Sequence, residues 1–156
     1  MSKITLFDKT FRPFIPYEKL EKAIDKVADH INADFSDSKE PVVLLCILNG
    51  SIMFTAELMK RLSFDCQLVS MKLSSYCGTE STGNVKQVMG MTGDIKGKHV
   101  IIVEDIVDTG NTIVDLTRIV KEKGALDCKV CTMLLKPEVY KKDVKLDYVA
   151  MEIPNK

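Results

Sequence analysis

The sequence has no excess of charge of either sign, since its 156 residues include 22 basic and 22 acidic side chains. A protein that coats nucleic acid through bulk charge needs a basic balance, so no nucleic-acid partner is expected. Long apolar runs are also absent, and the longest, Val42–Leu48, is too short to span a bilayer. The first eight residues have no apolar core of the kind found in signal peptides. We therefore expect neither a membrane partner nor export.

The cysteines do not form the even, regularly spaced set of a disulfide framework, because there are five of them: Cys46, Cys66, Cys77, Cys128 and Cys131. A reducing, cytoplasmic location is therefore predicted. Cys128 and Cys131 form a C-x-x-C pair inside a predicted strand. Residues three apart on a strand point to opposite faces, which disfavours a shared metal or a redox pair. Two buried structural thiols are the expected outcome.

No repeat, low-complexity tract or linker divides the chain, so residues 1–156 are expected to form a single domain. Apolar, partly β-branched runs predict strands, and apolar residues at helical spacing predict helices between them. The predicted strands are 42–48, 66–73, 86–91, 99–104, 126–135 and 147–153, and the predicted helices are 16–31, 52–62 and 112–123. Residues 1–15 are predicted to be an irregular arm, and residues 74–85 and 106–111 to be a loop and a turn. Alternating strands and helices indicate an α/β domain with a largely parallel sheet.

The segment richest in chemistry is Val-Glu-Asp-Ile-Val-Asp-Thr-Gly-Asn-Thr at residues 103–112. A buried strand delivers Glu104 and Asp105 to its end, and Asp108 follows. The next four residues lead into a helix, whose unpaired N–H groups and dipole favour an anion such as phosphate. Carboxylates repel a phosphate unless sugar hydroxyls or a hydrated Mg²⁺ lie between them. The pattern therefore predicts a phosphorylated sugar as ligand, with magnesium.

A simpler explanation of this segment is helix capping, since Asp and Thr are both good N-caps. One Asp and one Thr would satisfy that explanation, whereas the segment has three acids, a glycine and two threonines. The two standard nucleotide motifs, G-x-G-x-x-G and G-x-x-x-x-G-K-[ST], are both absent. We therefore favour a phosphate site of another kind.

The same segment resembles the 5-phosphoribosyl-1-diphosphate (PRPP) binding signature of type I phosphoribosyltransferases. The pattern Glu-Asp followed by Asp-Thr-Gly resembles the version of this signature found in the hypoxanthine–guanine branch of that family. Further stretches agree with the resemblance: Leu48-Asn-Gly-Ser51, Ser74-Ser-Tyr76, Ser81-Thr-Gly83, Leu134-Leu-Lys-Pro137 and Glu152-Ile-Pro-Asn-Lys156. The resemblance implies the type I phosphoribosyltransferase fold, with a mobile loop over the active site. It also implies purine salvage, in which Mg²⁺-dependent transfer from PRPP to N9 of hypoxanthine or guanine gives IMP or GMP and diphosphate.

The resemblance also implies roles for the acids. Glu104 and Asp105 would hold the ribose hydroxyls, partly through Mg²⁺ and water. Asp108 would face N7 of the purine and act as general base, taking the proton as the glycosidic bond forms. Its carboxylate would also favour an oxocarbenium-like transition state.

The implied phosphate-binding residues follow Asp108 directly: Thr109, Gly110, Asn111 and Thr112 would bind the 5′-phosphate. Asn49 and Gly50 would bind the leaving diphosphate, in a turn whose peptide bond is often cis without proline in this family. Ser75 and Tyr76 would lie on the loop that closes over the diphosphate and excludes water. Lys136 would donate to the purine O6 and so select 6-oxopurines over adenine.

Relatives continue beyond the segment that matches residues 152–156, so the domain is expected to lack the family's C-terminal segment. They also form dimers or tetramers, which predicts a homo-oligomer. One alternative is a regulatory protein that keeps this fold and senses PRPP or nucleotides. A remote one is a receiver-type signalling domain, which also has strand-end acids and a Lys-Pro pair. A receiver, however, needs its acceptor Asp on a different strand from the acidic pair, whereas Asp108 shares their turn.

Overall fold

The computed structural model of the chain describes residues 3–75 and 85–156. Eleven helices and strands lie in these two ranges: β1 (Ile4–Leu6), β2 (Lys9–Phe11), α1 (Tyr17–Phe35), β3 (Val42–Leu48), α2 (Ile52–Met59), β4 (Cys66–Ser75), β5 (Val85–Met89), β6 (His99–Val107), α3 (Asn111–Glu122), β7 (Asp127–Leu135) and β8 (Tyr148–Glu152). None of the described helices has the length and apolar character needed to cross a membrane.

Six strands form one sheet in the order β5-β4-β3-β6-β7-β8. The strands β4, β3, β6, β7 and β8 run parallel, and β5 at one edge is antiparallel to β4. The predicted α/β fold with a largely parallel sheet is confirmed. From β3 the chain moves to β4 on one side and later returns to β6 on the other. The carboxyl ends of β3 and β6 therefore border the crevice where open α/β sheets bind ligands.

Helices cover both faces of the sheet. On the face of α3, Val43 of β3 and Ile102 of β6 pack with Leu116 in one core. On the face of α1 and α2, Leu44 packs with Ile31 in a second core. Alternate residues of β3 thus point into two different cores, which is why that strand is apolar throughout.

The C-x-x-C pair divides between the same two faces. Cys128 packs against the core under α3, whereas Cys131 belongs to the core under α1 and α2. Burial raises the pKa of the Cys128 thiol to about 12 and also raises that of Cys131. Cys131 is buried as predicted, whereas Cys128 is only half-buried, and the two thiols lie on opposite faces of the sheet.

The prediction of an irregular arm at residues 1–15 was wrong, because the segment contains an antiparallel hairpin of β1 and β2. Ile4 pairs with Phe11, and the hydroxyls of Thr5 and Thr10 are 3.1 Å apart across the strands. The turn includes Phe7 at a φ of 56°, in the left-handed region. Hairpin turns usually place Gly, Asn or Asp at such a position, so the sequence carries no recognisable signal for this one.

The loop predicted for residues 74–85 is also shorter than expected. Ser74 and Ser75 belong to β4 and pair with Lys86 and Val85 of β5. The polar composition of the segment favoured a loop, but β5 is an edge strand, where polar residues are tolerated. Tyr76 lies outside the described residues, as does the predicted loop from residue 76 to residue 84.

Candidate active site

Three connections that follow β3, β6 and β7 meet at the carboxyl edge of the sheet. The turn at Asn49 and Gly50 follows β3, the loop of residues 108–110 follows β6, and Lys136 follows β7. The Lys136 N–H donates a hydrogen bond of 3.0 Å to the carbonyl oxygen of Val107, at the end of β6. The fold therefore brings together candidate residues that are far apart in the sequence.

The loop after β6 forms a cradle at the start of α3. Gly110 is the N-cap of that helix and has a φ of 88°, in the left-handed region that favours glycine. No side chain caps the helix start, so its first N–H groups are left for a ligand. A cavity of about 120 Å³ lies here, lined by residues 104 and 106–113. This arrangement suits an anion, because the helix dipole adds to the N–H donors.

Gly110 is also closely covered by the connection between β7 and β8. A Cβ atom on Gly110 would lie 2.5 Å from the ring of Tyr140 and 2.8 Å from Cγ of Lys142. The Tyr140 hydroxyl donates a hydrogen bond to the carbonyl oxygen of Val144, and burial raises the pKa of its phenol. Sequence reasoning missed Tyr140 and Lys142, because nothing in their spacing or composition marks them as neighbours of the cradle.

The acidic pair lies within β6 and not after it, which corrects the predicted turn at residues 106–111. The strand continues to Val107, since its pairing with β7 continues through that residue. Glu104 and Asp105 leave the strand toward opposite faces of the sheet, in line with Ile102 and Val103. Their carboxyl groups nevertheless stay close at the open carboxyl edge, since Asp105 contributes directly to the raised pKa of Glu104. Glu104 is only 9% exposed and lines the cradle cavity.

Asp105 lies against the turn that follows β3. A Cβ atom on Gly50 would come within 2.8 Å of the Asp105 carboxyl carbon, so only glycine leaves room for this carboxylate as it stands. Asp105 Oδ1 accepts a hydrogen bond of 2.8 Å from the N–H of Ile106. The peptide bond between Leu48 and Asn49 is cis, as the resemblance implied. The acidic strand and the Asn49-Gly50 turn thus form one continuous surface.

The electrostatics of the acidic pair suit a cation. Burial, together with the neighbouring charge of Asp105, raises the pKa of Glu104 to about 8. A divalent cation would remove this penalty, and carboxylate oxygens are ligands that Mg²⁺ prefers. Within the described ranges, no three His, Cys, Asp or Glu side chains are grouped closely enough to hold a metal on their own. The two carboxylates would therefore fit a hydrated Mg²⁺ whose remaining ligands are water molecules or oxygen atoms of a bound molecule.

The remaining candidate residues surround this centre. Asp108 is exposed at the start of the loop, directly before the cradle. Lys136 is half-buried, and its Nζ donates a hydrogen bond of 3.5 Å to Oδ1 of Asn155. Ser75 ends β4, the strand beside β3. Tyr76 is outside the described residues, so its predicted place near the diphosphate stays a prediction.

Comparison with known families matches residues 16–156 to the phosphoribosyl transferase domain. The hypoxanthine-guanine phosphoribosyltransferase of Streptococcus pneumoniae is 38% identical over 142 residues, which are 90% of this chain and 78% of the relative. The hypoxanthine-guanine-xanthine phosphoribosyltransferase of Tritrichomonas foetus is 33% identical over 158 residues, covering 100% of this chain and 85% of the relative.

Solved structures agree with the sequence comparison. A hypoxanthine-guanine phosphoribosyltransferase from Bacillus anthracis superposes with a TM-score of 0.85 and 35% identity, over 93% of this chain and 85% of that one. The hypoxanthine phosphoribosyl transferase of Trypanosoma cruzi gives a TM-score of 0.86 at 30% identity, over 97% and 83% of the two chains. Sequence and fold therefore point to the same family.

Proposed function

The chain belongs to the phosphoribosyltransferase family, as an enzyme of its hypoxanthine–guanine branch that acts in purine salvage, and we propose the details of its reaction. The enzyme transfers the 5-phosphoribosyl group of PRPP to N9 of hypoxanthine or guanine, with Mg²⁺. The bond between C1′ and the diphosphate oxygen breaks, and its electron pair leaves with the diphosphate. A bond from N9 to C1′ forms, and the purine loses a proton. The products are IMP or GMP and diphosphate.

The observation that carries this proposal is the cradle next to the acidic pair. A phosphate suits the start of α3, where Gly110 opens the backbone and the first N–H groups are free of side-chain caps. Carboxylates suit the hydroxyl groups of a ribose, and Glu104 lines the same cavity. A ligand that contacts both the start of α3 and the carboxylates must carry a phosphate and hydroxyl groups a short distance apart. Ribose 5-phosphate, one part of PRPP, has that form.

We assign the ribose and its metal to the acidic pair. Bound Mg²⁺ would neutralise charge on the diphosphate as it leaves. Glu104 and Asp105 would hold the ion through water and accept hydrogen bonds from the ribose hydroxyls. Thr109, Asn111 and Thr112 would bind the 5′-phosphate with Gly110, through hydroxyl, amide and backbone donors.

We assign the base and the leaving group to the neighbouring connections. Asp108 would accept the purine proton at N7, since it is an exposed acid that lines the cradle cavity. Lys136 would donate to the purine O6, which a 6-oxopurine has and adenine lacks. The diphosphate would lie on the turn of Asn49 and Gly50, next to Asp105. Ser75 and Tyr76 would approach it from β4 and the segment beyond.

An assay of the wild-type chain with PRPP, Mg²⁺ and each purine tests the proposal. Hypoxanthine or guanine should give a nucleotide and an equal amount of diphosphate, and adenine should not. PRPP with Mg²⁺ should also raise the melting temperature, because a ligand that binds only the folded state stabilises it. Stabilisation without any turnover would instead support the regulatory alternative. Turnover with adenine alone would contradict the assignment of Lys136. The cytoplasmic location stays a prediction from the cysteine pattern, and the dimeric or tetrameric state stays a prediction from the resemblance.

A further inference from the structure

The cradle has a charge imbalance. Its cavity is lined by Glu104 and Asp108, and none of the described residues that line it is basic. A phosphate monoester carries between one and two negative charges near pH 7, so a positive charge beside the helix start would strengthen its binding here. An Mg²⁺ ion held by Glu104 and Asp105 would balance the diphosphate and ribose end of PRPP. The 5′-phosphate lies at the other end of the ribose, where that ion would not balance its charge.

One lysine is placed to supply that charge. The side chain of Lys142 reaches the cradle from the connection between β7 and β8, and its Cγ would lie 2.8 Å from a Cβ atom on Gly110. The side chain is half-buried, so its aliphatic part lies along the protein surface. Only Cδ and Cε separate Cγ from the ammonium nitrogen. The ammonium group is therefore within one side chain's reach of the first N–H groups of α3.

The charge of Lys142 is also not used elsewhere. In the described parts of the chain, no acidic side chain lies within salt-bridge distance of its Nζ. Its neighbour Lys145, by contrast, lies 4.0 Å from Asp147. A half-buried lysine without a carboxylate partner, beside an anion cradle without a cation, has charge available for a ligand.

Tyr140 keeps the Lys142 segment in place. Its ring packs on Gly110, and its hydroxyl donates to the carbonyl oxygen of Val144, which lies beyond Lys142 in the chain. The segment is thus attached on both sides of the lysine. An ammonium group held in this way loses less side-chain entropy on binding than a lysine on a free loop.

We propose that Lys142 binds the 5′-phosphate of PRPP, together with the loop of residues 109–112. The proposal rests on the proposed function, because it assumes that the cradle takes that phosphate. The ligand class is a phosphate monoester on a sugar, recognised by an ammonium group and by the N–H groups of α3. Lys142 then provides the positive charge at this phosphate.

Steady-state kinetics of Lys142→Met tests the proposal, because methionine keeps the aliphatic contact with Gly110 and removes the charge. The KM for PRPP should rise by about tenfold, as expected for loss of one charge-assisted hydrogen bond. The kcat should stay within about twofold, because the 5′-phosphate is bound equally before and during reaction. Lys142→Arg should restore most of the affinity. Lys141→Met, which removes the exposed lysine next to it, is the matched control and should change neither value.

Calorimetry separates the two ends of the substrate. Ribose 5-phosphate should bind Lys142→Met about tenfold more weakly than wild type, whereas inorganic diphosphate with Mg²⁺ should bind both equally. Equal binding of ribose 5-phosphate to the two proteins, or an equal loss for diphosphate, would overturn the proposal. If the wild-type chain makes no nucleotide from PRPP, the proposed function itself fails. Wild-type turnover with an unchanged KM in Lys142→Met would refute the role of Lys142 alone.

Discussion

Gly50→Ala should reduce catalysis sharply while leaving the fold intact. The added methyl group would lie 2.8 Å from the carboxyl carbon of Asp105. Non-bonded carbon atoms prefer separations of about 3.5–4.0 Å, so the carboxyl group must move by about 0.7–1.2 Å. A misplacement of about 1 Å in a positioned group can cost about 100-fold in rate. We therefore expect kcat/KM for PRPP to fall by about 100-fold.

Stability should respond differently to the same substitution. The φ of Gly50 is not positive, so alanine meets no backbone penalty there, and Gly→Ala at such sites typically adds about 0.4–1 kcal/mol. The melting temperature of Gly50→Ala should thus be close to that of the wild type. Gly93→Ala is the matched control, because its methyl group would meet only the side chain of Val69, at 3.1 Å. Wild-type kcat/KM in Gly50→Ala would refute the argument that Asp105 and the turn act together.

Three further predictions follow from the same structure. Gly110→Ala should lower the free energy of unfolding by about 1–3 kcal/mol, because alanine is strained at this φ and meets the Tyr140 ring; an unchanged urea midpoint would contradict it. Lys136→Ala should raise the KM for hypoxanthine and guanine more than that for PRPP, and equal effects would contradict its place at the base. Tyr148→Phe removes the hydrogen bond that lowers the pKa of Asp34. A carboxyl group whose pKa is lowered in the folded protein stabilises the fold at pH values above its unfolded-state pKa, near 3.9. This stabilisation is lost as the pH falls through the folded-state pKa. Because Asp34 is 45% exposed, the variant should lose only up to about 1 kcal/mol near pH 7, and less near pH 3; a loss that grows with acidity would contradict the assignment.

The interior of the fold could be predicted from the sequence because burial on both faces leaves a simple pattern. The strand Val42–Leu48 has the predicted bounds, since an uninterrupted apolar run ends at Asn49 and Gly50. The places of Cys128 and Cys131 follow from strand alternation alone. The hairpin near Phe7 could not be predicted, because Phe7 occupies the turn position with positive φ, where Gly, Asn or Asp is usual. The full length of β6 was also missed, because pairing with β7 keeps Asp105, Ile106 and Val107 in the strand after the polar residue Glu104.

The site divides in a similar way. The residues from Glu104 to Thr112 are contiguous, so a local pattern revealed the phosphate cradle and its acids. The contact between Gly50 and Asp105 depends on two strands lying side by side, and the resemblance supplied only the roles of the residues. The contacts of Tyr140 and Lys142 with Gly110 have no sequence signal at all. They result from how the connection between β7 and β8 packs, which only the three-dimensional structure shows.

The central claim is that this site makes a nucleotide from PRPP and a 6-oxopurine with Asp108 as the base. The most direct test is the rate of nucleotide formation by Asp108→Asn, with Asp37→Asn, an exposed substitution in the connection between α1 and β3, as the control. Loss of a general base should lower kcat/KM by about 10²–10⁴-fold, with the melting temperature unchanged because Asp108 is exposed. The control should keep the wild-type rate. Undiminished turnover in Asp108→Asn would contradict the account.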